Sequence, residues 1–440
     1  MPRVVTAVFD IGKTNKKYFL FNEALEEIRH EYAELPTITD EDGYPCDDPA
    51  AIVEWIEGTL DGLLGNPDFH VRAVNFSTYG ATLVHLDAKG NPATPLYNYL
   101  KPFPSELASK FQCTYGAAEH DLATASPFLG MLNSGLQLYW LKHERPELFR
   151  NIRHTLHFPQ YLAYVLTGEM VTEPTSVGCH TKLWDFNRSE YHSWVEAEGL
   201  RHLFPDMVPT STSFEVTRKG KTFSVGVGIH DSSSALAAYL MRSSDPFLLV
   251  STGTWSISMN PFTQERLTLE ELERDCLNYL TPSGNPVKAS RLFLGHELDH
   301  QLKTLNRLFD RDTKYYKQIR LNPSFLRAIE AGAVHNLYYP EVLGNEKLVE
   351  DVFRPTKWDP QGCASYEEAY HHVIWGLVRL QVASIQLALG QSPVKKVFVD
   401  GGFVDNELYI TLLKHFLPEL SIEPSHAPLG SAYGAAAIIQ

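Results

Sequence analysis

Apolar and polar positions alternate along this chain in two distinct patterns. Short apolar runs bounded by turn residues are typical of buried strands, and apolar positions spaced three or four apart are typical of helices that face a core. The first pattern predicts strands at 6–11, 71–77, 247–250 and 396–400. The second predicts helices at 51–64, 136–143, 160–166, 232–240, 325–331, 367–389, 406–416 and 430–438. A further hairpin is predicted with arms at 83–86 and 95–99. The mixture indicates an α/β protein.

One element occurs twice. Residues 6–22 read as an apolar strand, a Gly-Lys-Thr-Asn turn and a second strand, and residues 247–259 repeat the plan around Gly253 and Thr254. Glycine permits close approach of a ligand, and turn amides can converge on an anion such as phosphate. Asp10, beside the first turn, suits a divalent cation bound to phosphate. The repeat therefore favours an ATP-dependent phosphotransferase with two similar domains.

The length of the chain also indicates two domains. A chain of 440 residues is too long for one ordinary core. The segment Ser-Ser-Asp-Pro at 243–246 interrupts the apolar pattern, so the predicted domains are 1–242 and 243–440. The first is expected to bind sugar and the second nucleotide, on the resemblance described below.

Composition excludes several classes of function. A net charge of −15 argues against nucleic acid as a partner. Uninterrupted apolar runs fall short of the roughly 20 residues that a membrane helix needs, and the first residues show no signal-peptide pattern. The cysteines are odd in number and form no Cys-x-x-Cys pair, which disfavours a disulfide framework. We therefore expect a cytoplasmic protein with no nucleic-acid or membrane partner.

Two motifs suggest other chemistry. Ala7-x-x-x-x-Gly12-Lys13-Thr14 fits a relaxed P-loop pattern, but a P-loop lies between a strand and a helix, and here a second strand is predicted. His296-Glu-x-x-His300 matches a zinc-hydrolase helix, which would also need a third ligand such as Glu330 or His335. Asp299, between the two histidines, is an unfavourable neighbour for that function.

Two further segments follow predicted strands. Asp231, in Gly228-Ile-His-Asp231, is placed either to accept a proton from a hydroxyl group or merely to cap the next helix. Gly401 and Gly402, after the strand at 396–400, either let a flat ligand approach the backbone or form a plain turn.

Taken in order, these segments resemble those of the FGGY carbohydrate kinases over nearly the whole chain. Asp10-Ile-Gly-Lys-Thr-Asn15 and Ser251-Thr-Gly-Thr-Trp255 resemble the two phosphate motifs of the family, and Gly228-Ile-His-Asp231 the motif of the catalytic base. Further similar segments are the adenosine motif at 400–406, the closing helix at 428–436 and the helical signature at 138–149 and 161–169. The resemblance implies two ribonuclease H-like domains of the actin type, with sugar and ATP in a central cleft.

The resemblance also implies roles for particular residues. Asp231 would be the general base, and Asp10 would organise Mg²⁺. The nucleotide ATP would be bound by Gly12, Lys13, Thr14, Asn15, Thr252, Gly253, Thr254, Gly401, Gly402 and Asn406. The sugar would be bound by Thr78, Tyr79, Gly80, Asn98, Gln160, His230 and Asp231.

The sequence departs from the family pattern at several positions. Lys13 stands where many members have threonine, and Gln160 where an aspartate is common. The pair His230-Asp231 resembles the L-rhamnulose and L-fuculose kinases, so a 6-deoxyketose is expected, with Tyr79, Tyr97 or Tyr99 against its methyl group. Alternatives are a pentulose or polyol kinase, and a non-catalytic sugar-binding or actin-like assembly protein on the same fold. A monomer or homodimer is expected.

Overall fold

The structure is a computed structural model that describes residues 1–116, 118–331, 338–355, 357–425 and 430–440. Its strands are β1 Arg3–Ile11, β2 Lys16–Phe21, β3 Glu27–Ala33, β4 Thr37–Thr39, β5 Pro45–Asp47, β6 Phe69–Thr78, β7 Leu83–Leu86, β8 His154–His157, β9 Trp184–Asp185, β10 Glu190–Tyr191, β11 Ser213–Arg218, β12 Lys221–Gly226, β13 Ile229–His230, β14 Phe247–Thr252, β15 Ser256–Asn260, β16 Cys276–Leu280, β17 Pro286–Leu292, β18 Lys396–Gly401 and β19 Ser421–Pro424.

The α-helices alternate with these strands. They are α1 Pro49–Gly65, α2 Ser105–Tyr115, α3 Ala118–Ala123, α4 Ser134–Glu144, α5 Pro146–Phe149, α6 Phe158–Thr167, α7 Pro174–Val177, α8 Ser193–Ala197, α9 Asp231–Leu240, α10 Leu269–Glu273, α11 Leu294–Leu308, α12 Pro323–Glu330, α13 Glu346–Val352, α14 Tyr366–Leu389, α15 Glu407–Phe416 and α16 Ser431–Ala437. Short 3₁₀ helices lie at Gly130–Leu132, Arg201–Leu203, Tyr315–Gln318 and Pro360–Gly362.

The chain divides into two compact units whose sequences are interleaved. The first comprises Met1–Arg242, Asn278–Pro286 and residues 430–440, and the second comprises Ser243–Leu277 and residues from Val287 to 425. The boundary predicted at 242/243 places the segments 278–286 and 430–440 in the second domain, whereas in the structure they pack within the first unit. A linear boundary misses them because α16 packs against α9, β1 and β6 of the first unit.

The first unit is built on a mixed sheet. Its order is β11-β12-β6-β1-β2-β3, with β13 also pairing with β6. Strand β1 runs parallel to β6 and antiparallel to β2. Successive residues of a strand point to opposite faces, so Phe9 packs with Trp55 of α1, whereas Val8 belongs to a cluster with Ala435 of α16. Helices therefore cover both faces at the point where β1 ends.

The second unit, like the first, has a central strand with one parallel and one antiparallel neighbour. Its sheet has the order β16-β17-β15-β14-β18-β19, in which β14 runs antiparallel to β15 and parallel to β18. The ends of β1 and β14 are thus equivalent: each strand continues into a hairpin and lies beside a parallel strand. The duplicated hairpin of the sequence corresponds to this duplicated topology.

Helix α14 forms the centre of the second core. By length and hydropathy it is the one helix among the described residues that could cross a membrane, and 61% of its most apolar window is buried inside the protein. Its side chains Leu377 and Val378 are fully buried, and Gln381 hydrogen-bonds to Ser256 and Ser258 of β15. These contacts are those of a core helix that packs on its own sheet.

The hairpin predicted between 83 and 99 is wrong in its second arm. The turn forms, because Asp87 and Asn91 bond through their backbones, but beyond it only Pro92 bridges back to Leu86. Strand β7 pairs instead with β8. Pro92 and Pro95 lack the N–H donors that a continuing ladder needs. The second arm therefore does not extend along β7, which pairs with β8 from farther along the chain.

The contact between α9 and α16 allows a test of the packing. A Cβ atom on Gly434 would overlap the carbonyl oxygen of Ser234. We predict that Gly434→Ala lowers the free energy of unfolding by roughly 1–3 kcal/mol, the usual cost of overpacking. Urea denaturation would measure it. The control is Gly62→Ala in α1, where a Cβ meets no atom within 4 Å, and where a small gain is expected. Equal stability of the two variants would contradict the packing.

Candidate active site

Two tight hairpins mark the ends of β1 and β14. In the first, the Gly12 amide donates to the Asn15 carbonyl at 2.9 Å, and Ile11 pairs with Lys16. A strand follows this turn, so the P-loop interpretation is wrong. In the second, the Gly253 amide donates to the Trp255 carbonyl at 2.8 Å. The hairpin interpretation of both turns is confirmed.

Asp10 lies beside the first turn in a restricted environment. Its Oδ1 accepts a hydrogen bond from Ser431 Oγ at 2.7 Å. Burial raises the pKa of this carboxyl, and the charge of Asp231 raises it further, while Ser431 and the ammonium of Lys17 act in the opposite direction. The structure therefore brings Asp10 and Asp231, 221 positions apart in sequence, into one electrostatic neighbourhood.

Asp231 is the first residue of α9, and His230 occupies the capping position. The Asp231 carboxylate accepts from the backbone amide of Ser232 at 2.6 Å. Burial raises its pKa to about 6, although 33% of the side chain remains exposed. A carboxylate with this pKa is ionised at neutral pH and holds a proton more strongly than an ordinary aspartate, as a general base requires.

The residues before Asp231 are aligned with the end of β6. Strand β13 pairs Ile229 with Ser77 and His230 with Thr78. A Cβ on Gly80 would lie 3.1 Å from His230 Nε2, so this glycine lets the backbone approach the imidazole. The structure thus brings together the sequence-predicted sugar residues Thr78, Gly80, His230 and Asp231.

Two other sugar candidates support the backbone. Gln160 Nε2 donates to the carbonyls of Val227 (3.1 Å) and Gly228 (3.2 Å), and its side chain is fully buried beneath the turn that leads to Asp231. Asn98 Nδ2 donates to the Pro45 carbonyl at 2.9 Å, and its Oδ1 accepts from the Leu100 amide. Both amides thereby hold loops of the first unit.

The aromatic candidates differ in their surroundings. Tyr97 is 1% exposed and packs edge-on against Trp140. Tyr79 donates to Asp47 Oδ2 at 2.8 Å. Tyr99 is partly exposed, and its pKa, about 12, is raised by burial and then by the charge of Asp231. Of the three phenols, Tyr99 is therefore the one whose pKa is raised by the charge of the candidate base, Asp231.

Lys13, expected to bind nucleotide, contacts a carboxylate and two aromatic rings of the first unit. Its ammonium lies 2.7 Å from Asp47 Oδ2 and over the rings of Tyr79 and Tyr99, at 5.3 and 5.8 Å from their centroids. Lys16 binds the other oxygen of Asp47 at 2.8 Å. Burial works against ionisation of Asp47, but the two ammonium groups keep its pKa below the ordinary value.

In the second unit, the ends of β14 and β18 are joined through Thr252. The Thr252 carbonyl accepts from the Gly402 amide at 2.9 Å, and its hydroxyl accepts from the Phe403 amide at 3.1 Å. Gly401 has a φ of +90°, and a Cβ there would overlap the Thr252 carbonyl. Gly253 and Thr254, both exposed residues, follow this junction. Asn406 caps α15 and donates to the Tyr370 hydroxyl.

Comparison with family models agrees with this arrangement. A model described as "FGGY family of carbohydrate kinases, N-terminal domain" matches residues 5–234, which is more than half of the chain. A second, "Carbohydrate kinase FGGY, C-terminal domain", matches residues 244–324. The chain belongs to the FGGY family of carbohydrate kinases. The membership predicted from the motifs is confirmed.

Solved structures of carbohydrate kinases share the fold. A carbohydrate kinase from Novosphingobium aromaticivorans has a TM-score of 0.83 at 23% identity, over 100% of this chain and 92% of the other. A ligand-bound xylulose kinase from Lactobacillus acidophilus has a TM-score of 0.81 at 14% identity, over 99% of this chain and 89% of the other. The expected two-domain α/β fold of the actin type is confirmed.

A curated relative is similar over part of its length. L-fuculokinase from Escherichia coli K12 is 25% identical over 227 residues, which cover 47% of this chain and 47% of the relative. The match thus spans about half the length of that protein.

The zinc-hydrolase motif has a structural role in this FGGY chain. Glu297 is fully buried and accepts hydrogen bonds from Gln301, the Tyr338 hydroxyl and the amides of 341 and 342. His296 is exposed and stacks on Phe293, and His300 lies 2.7 Å from Glu341. Of the two third ligands considered, Glu330 lies 3.2 Å from His415. The other, His335, lies outside the described residues, as do Pro428 and Leu429 of the closing FGGY motif. Glu297 has no capacity left to activate a metal-bound water.

Sequence reasoning missed several groups in the first unit. Ser431 lies within the closing-helix motif, but nothing in the sequence indicates that it bonds to Asp10. Asp47 stands in a polar loop without a motif, although two lysines at 13 and 16 offered a charge signal. Cys179 and Tyr279 border His230, and no local pattern connects them with it.

Proposed function

We propose that this chain is an ATP-dependent carbohydrate kinase that transfers the γ-phosphate of ATP to a hydroxyl group of a ketose. The observation that carries the proposal is Asp231, a partly exposed carboxylate whose pKa of about 6 is poised near neutrality. It shares its environment with Asp10 in a unit that matches the N-terminal domain of the FGGY family.

In the proposed reaction, Asp231 accepts the proton of the attacking sugar hydroxyl. The sugar oxygen then bonds to the γ-phosphorus, and the bond from that phosphorus to the bridging oxygen of ADP breaks. Phosphoryl transfer depends mainly on in-line positioning and neutralised charge. The neutral imidazole of His230, 3.2 Å from Asp231 Oδ1, positions the carboxylate without adding charge.

Asp10 fits the requirements of Mg²⁺, which prefers oxygen ligands and keeps several waters. The charge of Asp231 acts on the Asp10 carboxylate, and Oδ1 accepts a hydrogen bond from Ser431. A cation would relieve the repulsion between the two carboxylates. Bound there, Mg²⁺ would neutralise phosphate charge.

For the nucleotide, we assign the exposed turn at Gly253 and Thr254 to phosphate and the turn at Gly401 and Gly402 to adenosine. Thr252 holds these two turns together through its hydrogen bonds. In the first hairpin, Gly12, Thr14 and Asn15 provide the corresponding phosphate turn. Four further candidates act indirectly, through the hydrogen-bond partners described above: Lys13, Asn98, Gln160 and Asn406.

The sugar class is inferred from Tyr99. A phenol ring beside Asp231 offers an apolar surface for the methyl group of a 6-deoxyketose such as L-fuculose or L-rhamnulose. The similarity to L-fuculokinase over half of its length supports this class. The net charge of −15 and the core position of α14 support a cytoplasmic enzyme whose partner is a small molecule, without nucleic acid or membrane.

We predict that Asp231→Asn folds and binds ATP but phosphorylates the ketose about 10²–10⁴-fold more slowly, because an amide cannot accept the hydroxyl proton. A coupled ADP-release assay across L-fuculose, L-rhamnulose, D-xylulose, L-ribulose and glycerol measures this. Asp68→Asn, in an exposed turn, is the matched control. Turnover of Asp231→Asn close to that of the control would refute the role.

The pH dependence provides a second test. Protonation of Asp231 removes the base, so kcat/KM should fall tenfold per pH unit below about 6. A base with the ordinary aspartate pKa of 3.8 would keep its activity to about pH 4. Rates measured at fixed saturating Mg-ATP between pH 5 and 8 distinguish the two. A flat profile down to pH 5 would contradict the raised pKa.

The sugar class has its own prediction. Removing the ring in Tyr99→Ala should lower the preference for L-fuculose over D-ribulose, which lacks only the methyl group, by about fourfold in the ratio of kcat/KM, because burial of one methyl group contributes about 0.8 kcal/mol. Tyr32→Ala, 64% exposed on β3, is the control and should keep the wild-type ratio. An unchanged ratio in Tyr99→Ala would remove this ring from the sugar site.

A further inference from the structure

Among the described residues, one cluster holds the donor atoms that a soft metal ion prefers. Cys179 and His180 follow α7, and His230 precedes α9. A ligand atom of each lies within 4.8 Å of those of the other two. All three side chains are buried, with 1%, 7% and 3% of their surfaces exposed. Thiolate and imidazole together suit zinc far better than magnesium.

The hydrogen bonds of both rings are compatible with metal binding. His180 Nδ1 lies 3.1 Å from the Leu132 carbonyl, which can only accept, so Nδ1 carries the proton. His230 Nδ1 lies 3.2 Å from Ser233 Oγ, which in turn lies 3.2 Å from the Leu280 carbonyl. In the metal-free protein, His230 Nε2 faces Asp231 Oδ1 and carries the ring proton. When a metal binds at Nε2, the ring proton passes to Nδ1, where Ser233 Oγ accepts it; a proton on Nδ1 held by a second residue is the usual arrangement around a metal-bound histidine.

The backbone around the cluster is adapted to hold these side chains close together. A Cβ on Gly80 would lie 2.8 Å from Cys179 Sγ and 3.1 Å from His230 Nε2, so glycine is needed between them. His180 has a φ of +40°, which is unfavourable for a residue with a side chain. Backbone strain of this kind is found where a ligand is clamped.

A fourth ligand is within reach. Asp231 Oδ1 lies 3.2 Å from His230 Nε2 on the side where Asp231 is partly exposed. A tetrahedral zinc ion has bonds of roughly 2.3 Å to sulfur and 2.0–2.1 Å to nitrogen. Closing the present separations to that geometry requires side-chain movements on the order of 1 Å.

We propose that Cys179, His180 and His230 bind Zn²⁺, with Asp231 as the oxygen ligand, and that the bound ion inhibits sugar phosphorylation. On binding, a Zn–S bond forms and the thiol proton of Cys179 passes to solvent; no oxidation occurs. Zinc would hold the Asp231 oxygen that otherwise accepts the proton of the sugar hydroxyl. The inhibition rests on the proposed kinase function, whereas the binding does not.

The test uses the full chain, freed of metal by a chelating resin. Competition with a chromogenic zinc chelator should show one equivalent bound. Cys179→Ser should weaken that affinity at least tenfold, and Cys113→Ser, at an exposed thiol of α2, should leave it unchanged. Equal affinity in all three proteins, or no binding by the wild type at micromolar zinc, would overturn the site.

Inhibition is measured separately, in Mg-ATP with free zinc set by a metal buffer. Zinc should inhibit the wild type and Cys113→Ser but spare Cys179→Ser, with each protein compared with its own zinc-free turnover. Zinc bound without inhibition would overturn the regulatory part. If the chain shows no kinase activity, the chelator competition still decides the binding.

A spectroscopic measurement covers the case in which Cys179→Ser does not fold. Cobalt(II) added to the metal-free wild type should give a thiolate-to-metal charge-transfer band in the near ultraviolet, together with visible bands of tetrahedral intensity. The same spectrum is expected from Cys113→Ser. Cobalt that binds without the thiolate band would exclude Cys179 as a ligand.

Discussion

The fold of the first unit holds two carboxylates, Asp10 and Asp231, in one electrostatic neighbourhood although their charges repel. Burial and mutual repulsion both favour protonation of Asp10, and burial raises the pKa of Asp231 to about 6. Donors from Ser431 and Ser232 offset part of this cost. The arrangement persists because β1, β13 and α16 are fixed by their own packing, so the site is positioned by the fold rather than by the attraction of its members.

Local signals in the sequence were sufficient for the two hairpins at Gly12 and Gly253 and for the position of Asp231 at the start of a helix. Glycine-containing turns between apolar runs depend on a few adjacent residues, and the strand ends at Asp10 and His230 follow from the same pattern. The order of these segments was sufficient for the family. The sequence did not reveal which distant segments complete each unit. Residues 278–286 and helix α16 belong to the first unit through tertiary packing, which no local pattern indicates.

Polar residues show the same limit at the level of single side chains. Gln160 and Asn98 are amides in segments that resemble sugar-binding loops, yet each satisfies backbone carbonyls. Lys13 lies in a turn that resembles a phosphate motif, yet its ammonium group binds Asp47. A buried donor bonds to the nearest unsatisfied acceptor, and that acceptor is set by the three-dimensional fold, which residue type and spacing do not reveal.

The discontinuity of the first unit has a consequence for biosynthesis. Val8 and Ile229 are covered by Ala435 and Ala436 of α16, which the ribosome makes only after the whole second unit. The nascent first unit therefore carries an uncovered apolar face while the second unit is being made, although domains ordinarily fold as they emerge. The first unit can complete its packing only when α16 docks, at the end of synthesis.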